Sequence, residues 1–442
     1  METRDLLITP AYLAILFAIA FWLRPYFTDS TTYRYFFPAF TFKVIGALAL
    51  GFIYTFYYHG GDTFNFHTHG SRHIWDAFVD SPDTGLSMMF SDGKHQESFY
   101  RYSSRIFFFG DKSSFFLIRI AAFFDLFTFS TYSSTALFFA FFSFLGSWML
   151  FTTFYKRYPE GHFLIAIACL FVPSMVLWGS GLLKDTIVMS ALGMMTYCVD
   201  YLFNQRKWSL FYLLVLLLGL YLVFSLKKFV LQAYLPAALF WVYLTNVQRL
   251  RSAMVRILAL PIIVILLVAG AYYSVVRVGE GDQRYSLDKI AETARITAID
   301  IRYQSGKDAG SGYTLGTLDG TFASMLRLSP QAINVTLFRP YLWEVRNPLM
   351  LMSALESTAY LVFVLIIIYR CGFAIFRYIN NPDVLFTMVF SLVYAFAVGV
   401  STFNFGTLSR YKTPLMPFFL IGLIVVYLRN KPENVASLDR TE

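Results

Sequence analysis

Long apolar runs broken by short polar punctuation dominate this chain. Stretches of the 17 to 25 residues a helix needs to cross a bilayer fall near 8–24, 37–58, 133–155, 162–179, 184–203, 208–226, 228–246, 254–278, 350–372, 383–402 and 413–428. Only a Pro, a Gly or a charge separates several of them. The pattern predicts an all-α membrane protein with about eleven transmembrane helices. Two long polar segments interrupt it, 59–132 and 279–349. Within the first, the apolar stretch Phe115 to Phe127 is shorter than a span and carries Arg119 and Asp125. It reads as an interfacial helix. The second is mixed in charge, with glycines at 306, 310, 312, 316 and 320, and reads as an extracytoplasmic loop or small cap. The predicted organisation is an N-terminal transmembrane module over 1–278 that contains the loop 59–132, the segment 279–349, and a C-terminal module with its tail over 350–442.

Lys and Arg set the orientation. The connections Arg24 to Lys43, Lys156-Arg157, Arg206-Lys207, Arg249 to Arg256, Arg370 to Arg377 and the tail after Arg429 fall on one side, with 15 basic against 7 acidic residues. The other side holds 21 against 20. By the positive-inside rule the first side is cytoplasmic, so both long segments face outward. Residues 8–24 lack a basic leader and a cleavage site, and read as a retained helix. The predicted location is a bacterial inner membrane, with the active site on the outer face.

Composition agrees. Hydrophobic residues make up 57% and charged residues 14% of the 442 residues, too apolar for a soluble domain. The 49 Phe and 30 Tyr suit membrane interfaces and grooves for lipid chains. A net charge of +9 is spread among the spans and forms no soluble basic patch, so nucleic acid is not an expected partner. The three cysteines, all in or beside apolar runs, make no disulfide or zinc pattern.

Four clusters carry candidate chemistry on the predicted outer face. The first is Tyr58-His59-Gly60-Gly61-Asp62-Thr63-Phe64-Asn65-Phe66-His67-Thr68-His69-Gly70, where a span ends in ionisable groups. The second is the turn Trp178 to Asp185, presenting Lys184 and Asp185. The third runs from Phe338 to Glu344 and contains Arg339. The last, Asn404 to Lys412, places Arg410 and Lys412 where cations are disfavoured, and a lipid phosphate is their simplest partner. Each has a plainer alternative: an ion pair for Lys184 and Asp185, snorkelling anchors for Arg410 and Lys412, an aromatic belt for Trp343. The histidines lack the i, i+4 spacing of a helical metal motif. No cofactor is assigned, with a divalent metal as the alternative.

This layout resembles the GT-C superfamily of membrane glycosyltransferases, including the protein mannosyltransferase and aminoarabinose transferase branches, which use polyprenyl-phosphate-linked sugars. The resemblance implies that Asp62 matches the first-loop catalytic acid, Asp185 the second-loop acid, and Arg410 the residue near the donor phosphate. Lys412, Lys184 and Tyr411 would join that phosphate site, with His59, His67, His69, Arg339, Glu344 and Asn404 on the acceptor or substrate. Two features depart from those branches. Two helices precede the acidic loop where one is usual, and Gly61 and Thr63 flank Asp62 where a second acid would stand.

The chemistry of an outward site points the same way. Nucleotide sugars are not supplied there, so a donor would arrive on a lipid. A nearby Arg or Lys would stabilise the departing phosphate, and a carboxylate, for which Asp62 is the choice, would take the acceptor's proton. The expected partners are a lipid-linked sugar donor and membrane lipids. The alternatives are a polysaccharide polymerase or glycan ligase, and a transporter or flippase of a lipid-linked glycan.

Overall fold

A computed structural model describes residues 3–247, 265, 289–304, 311–316, 319–372, 375–378 and 380–430. The described residues are helical throughout, apart from turns and one isolated bridge between Gly312 and Asn404. Among the described residues, eight helices are long and apolar enough to cross a membrane: Thr3–Phe27, Tyr33–Tyr57, Tyr132–Tyr155, Lys184–Asn204, Lys228–Val247, Pro348–Cys371, Pro382–Ser401 and Phe405–Arg429. The chain is an all-α, multi-pass membrane protein.

The three other apolar stretches differ. Residues 208–226 form a shorter helix, Leu210–Leu226. The stretch 162–179 breaks after the short helix Pro159–Phe171. Pro173 has no N–H to donate and its ring crowds the preceding turn, so Val172 is extended and a new helix starts at Pro173–Leu177. Apart from Ile265, residues 254–278 lie outside the described residues.

The chain forms two compact units. The first comprises Met1–Phe151, Cys169–Met195 and Val215–Lys227. Aromatic rings and glycines build its interior. Phe36 packs edge-on against Phe144 and Trp148, each with centroids 4.9 Å away. Gly46 lies so close to the 173–177 helix that a Cβ there would sit 1.9 Å from the Val176 carbonyl oxygen. Gly146 and Gly193 bring two further helices together at backbone distance, the small-residue contact favoured inside membranes. Lys43 is buried in this unit, and its ammonium donates to the carbonyls of Met175 and Gly179 at 3.0 and 3.2 Å. It thereby ties down the chain around the Pro173 break.

The second unit comprises Thr152–Ala168, Thr196–Leu214 and Lys228–Glu442. Trp241 stacks on Phe386 at 4.5 Å, and Phe390 meets Phe418 edge-on at 4.7 Å. Gly399 lets its helix approach the backbone of Ala332. In the segment 279–349 the described helices are Ile290–Gln304, Phe322–Arg327 and Ser329–Phe338, with a short 3-10 turn at Leu342–Glu344.

Candidate functional site

The span Tyr33–Tyr57 ends in a π-turn, Ile53–Tyr57, a local widening often found at functional sites. The chain then reverses through three residues of positive φ: His59 at 54°, Gly60 at 138° and Gly61 at 121°. The two glycines adopt this without a Cβ penalty. His59 does so against a cost of about 1–2 kcal/mol. Asp62 is the first residue of the next short helix, Asp62–Phe66, and is partly exposed there. Tyr54, Thr55, His59, Gly60, Phe64, Thr68 and His69 line an open cavity of about 390 Å³ in this turn. Two of the predicted histidines, His59 and His69, therefore share one cavity.

His67 sits elsewhere. It is fully buried, with Nε2 3.4 Å from Asp125 Oδ1 and its ring edge-on to Tyr132. Neither ring nitrogen has a hydrogen-bond partner among the described residues. The Asp125 carboxylate accepts from Ser71 and Thr135 hydroxyls, both at 2.6 Å. Asp125 belongs to the helix Lys112–Thr128, which contains the predicted interfacial stretch. Its side chain is fully buried rather than solvated. A lone acid in an apolar helix is the sequence signal for such a role, because burying a carboxylate requires partners.

The neighbours Lys184 and Asp185 take separate partners. Asp185 is fully buried and pairs with Lys227. Lys184 donates to the Ser113 hydroxyl at 2.9 Å and lies 3.5 Å from Asp111. Burial pushes the Asp111 carboxyl up, but its bond from Ser114 and the Lys184 charge outweigh this and hold it below the ordinary range. The sequence singles out neither Lys227 nor Asp111, and marks Asp125 only as a charge on the interfacial stretch.

In the second unit three predicted residues, Arg339, Glu344 and Lys412, converge. Arg339 forms a two-pronged pair with Glu344, one contact being Nε to Oε2 at 3.0 Å, and its guanidinium lies 5.2 Å from the Phe405 ring centroid. The bond to Glu344 raises the Arg339 pKa, with burial opposing. Burial pushes the Glu344 carboxyl up, but bonds from Arg339 and the Tyr341 N–H prevail and leave it lowered. Lys412 is fully buried and donates to the Ser357 hydroxyl at 2.8 Å and the Arg339 carbonyl at 3.2 Å. Asn404 caps the helix Phe405–Tyr411 by accepting from the Gly406 and Thr407 N–H groups, and donates to Ser311. Arg410, on that helix, is partly exposed, with its guanidinium 5.7 Å from the ring of Tyr411. The Tyr411 carbonyl accepts from the Tyr394 hydroxyl.

No protein-family model, no curated protein and no solved structure matches this chain. Among the described residues no group of three or more His, Cys, Asp or Glu is placed to hold a metal ion.

Proposed function

We propose that this protein is a GT-C-like glycosyltransferase that moves a sugar from a polyprenyl-phosphate-linked donor to an acceptor on the extracytoplasmic face. The observation that carries the reading is the cavity of about 390 Å³ at the end of the Tyr33–Tyr57 span, with Asp62 opening the helix that follows. An open pocket lined by aromatic rings, imidazoles and hydroxyls suits a sugar, whose faces stack on rings while its hydroxyls find polar partners.

In the proposed reaction the bond between the sugar's anomeric carbon and the donor phosphate oxygen breaks. A new bond forms from that carbon to the acceptor hydroxyl. Asp62 takes the hydroxyl proton, and the phosphate departs on the polyprenyl chain, keeping the electron pair of the broken bond. Lys412, buried against Ser357 and the Arg339 carbonyl, positions the polypeptide beside Arg410. Asp185, paired with Lys227, serves the fold of its unit. All eleven apolar stretches would then count as membrane-crossing.

The test is transfer by the purified full-length protein from a radiolabelled polyprenyl-phosphate sugar, analysed by mass spectrometry. Asp62→Asn keeps size and polarity, and should abolish turnover while preserving yield and thermal stability. Asp76→Asn and Asp80→Asn should be mild. Asp76 lies 3.6 Å from His73 and Asp80 accepts from Tyr102, and neither lines the cavity. Substantial activity in Asp62→Asn would overturn the assignment.

A second reading, a flippase of a lipid-linked glycan, is favoured by one observation. Lys43 is a buried charge within a span, bonded to carbonyls of a broken helix, as in many transporters. Translocation of a fluorescent lipid-linked glycan that is lost in Lys43→Met would support it.

A further inference from the structure

A second cavity, of about 310 Å³, lies within the second unit. Three arginines line it, Arg157, Arg377 and Arg429, together with Asn380, Asn381 and Thr245. They come from the ends of separate helices, and all these ends belong to the side that the Lys and Arg distribution assigns to the cytoplasm. No role proposed above uses any of them.

The floor of the cavity is rigid. The Arg157 guanidinium is held by Asp383 at 2.8 Å and by Asp200, and its face lies 5.0 Å from the Trp241 ring centroid. Burial lowers the Arg157 pKa, but the two carboxylates outweigh it and the group stays charged. Asp383 also lines the cavity, yet its oxygens are occupied by Arg157, the Trp241 N–H at 2.7 Å and the Tyr158 hydroxyl at 2.7 Å. Asp200 and Asp383 are thus both engaged by Arg157. Among the described residues the Arg429 side chain makes no hydrogen bond or ion pair. Thr245 contributes a buried hydroxyl with no hydrogen-bond partner.

We propose that this cavity is an anion site that takes a phosphate group, gripped by Arg377 and Arg429 over the fixed Arg157 floor. Guanidinium forks match phosphate oxygens, and an amide and a hydroxyl donor beside them complete the shell. The volume is at the small end of ligand sites and suits a headgroup or an inorganic ion. Basic pockets between membrane helices on the cytoplasmic side commonly hold lipid headgroups.

The experiment measures dissociation constants of the detergent-solubilised full chain for inorganic phosphate and for dihexanoyl phosphatidic acid, at constant ionic strength. At least one probe should bind saturably. Arg377→Gln/Arg429→Gln should weaken that binding at least roughly tenfold, the loss expected for charge-assisted contacts. If the double variant is not recovered as a monodisperse protein, Arg377→Gln alone carries the comparison, since Arg377 is exposed. Arg370→Gln removes an equal charge outside the cavity, where Arg370 donates to Tyr427, and should bind like the unaltered protein. Tighter binding of the phosphatidic acid would assign a lipid headgroup, and equal or weaker binding a free phosphate. The proposal is overturned if neither probe saturates, if the cavity variants bind normally, or if Arg370→Gln loses as much affinity as they do.

Discussion

Lys227 and Asp185 form a buried ion pair that joins the end of one apolar helix to the start of another. Charges this far from water are tolerated because each neutralises the other. Removing only one leaves an uncompensated charge, at a cost of about 3–5 kcal/mol. Asp185→Asn should therefore lower the unfolding temperature sharply in detergent. Asp185→Leu/Lys227→Met, which removes both charges and keeps the volume, should recover most of the stability. Unfolding of the double variant at the temperature of Asp185→Asn would show that the pair does more than neutralise itself.

Close backbone contacts make a second prediction. A Cβ at Gly46 would stand 1.9 Å from the Val176 carbonyl oxygen, and one at Gly193 would stand 2.1 Å from the Gly146 carbonyl oxygen. Backbone atoms cannot swing aside as a side-chain tip can. Gly46→Ala and Gly193→Ala should each destabilise by about 1–3 kcal/mol or more. At Gly110, where nothing lies within 4 Å, the same change should be nearly silent. Thermal unfolding of the three variants in parallel checks this.

The Arg339–Glu344 pair predicts a dependence on acid. The Glu344 carboxyl is depressed in the folded chain, so its contribution is present above its unfolded pKa of about 4.3 and is lost as the pH falls through the folded value. Trp343, exposed and stacked on Tyr341 at 4.8 Å, reports on this turn. Its fluorescence should change as the pH falls below that unfolded value, and Glu344→Gln should remove the transition. A transition that survives in Glu344→Gln would belong to another group.

If Arg410 stabilises a departing phosphate, Arg410→Ala should lower transfer by roughly 10²–10³-fold, as for loss of one preorganised donor. Arg410→Lys should restore only part of it, because the fork is gone. Lys412→Met should act chiefly on stability, since it removes donors to Ser357 and the Arg339 carbonyl. Full transfer in Arg410→Ala would reduce Arg410 to a membrane anchor.

Orientation can be read with one thiol. Lys94 is exposed in the segment 59–132, and Cys169, Cys198 and Cys371 are buried, so the background is low. Lys94→Cys should react with an impermeant maleimide on intact cells. Reaction only after permeabilisation would reverse the topology and remove the argument for a lipid-borne donor.

Membrane class was legible in the sequence because it depends on the lengths and polarity of local runs. Bilayer thickness and the need to satisfy backbone groups internally translate those runs directly into helices. Pro173 and Asn404 went the other way: 162–179 reads as one span yet breaks at Pro173, and Asn404, expected on the substrate, caps its own helix.

Partnership was not legible. Lys184 and Asp185 look like a pair because they are neighbours, but consecutive helix positions point about 100° apart. Each instead takes a partner remote in sequence, Asp111 and Lys227. His67 looks like a member of an exposed cluster with His59 and His69, yet it is turned inward onto Asp125. Arg157, Arg377 and Arg429 read only as topology signals until the fold gathers them around one cavity. Hydropathy and spacing act locally, so the sequence by itself determined the elements and their approximate ends. Burying a charge requires a partner from wherever packing can supply one, and that choice was made only by the tertiary structure.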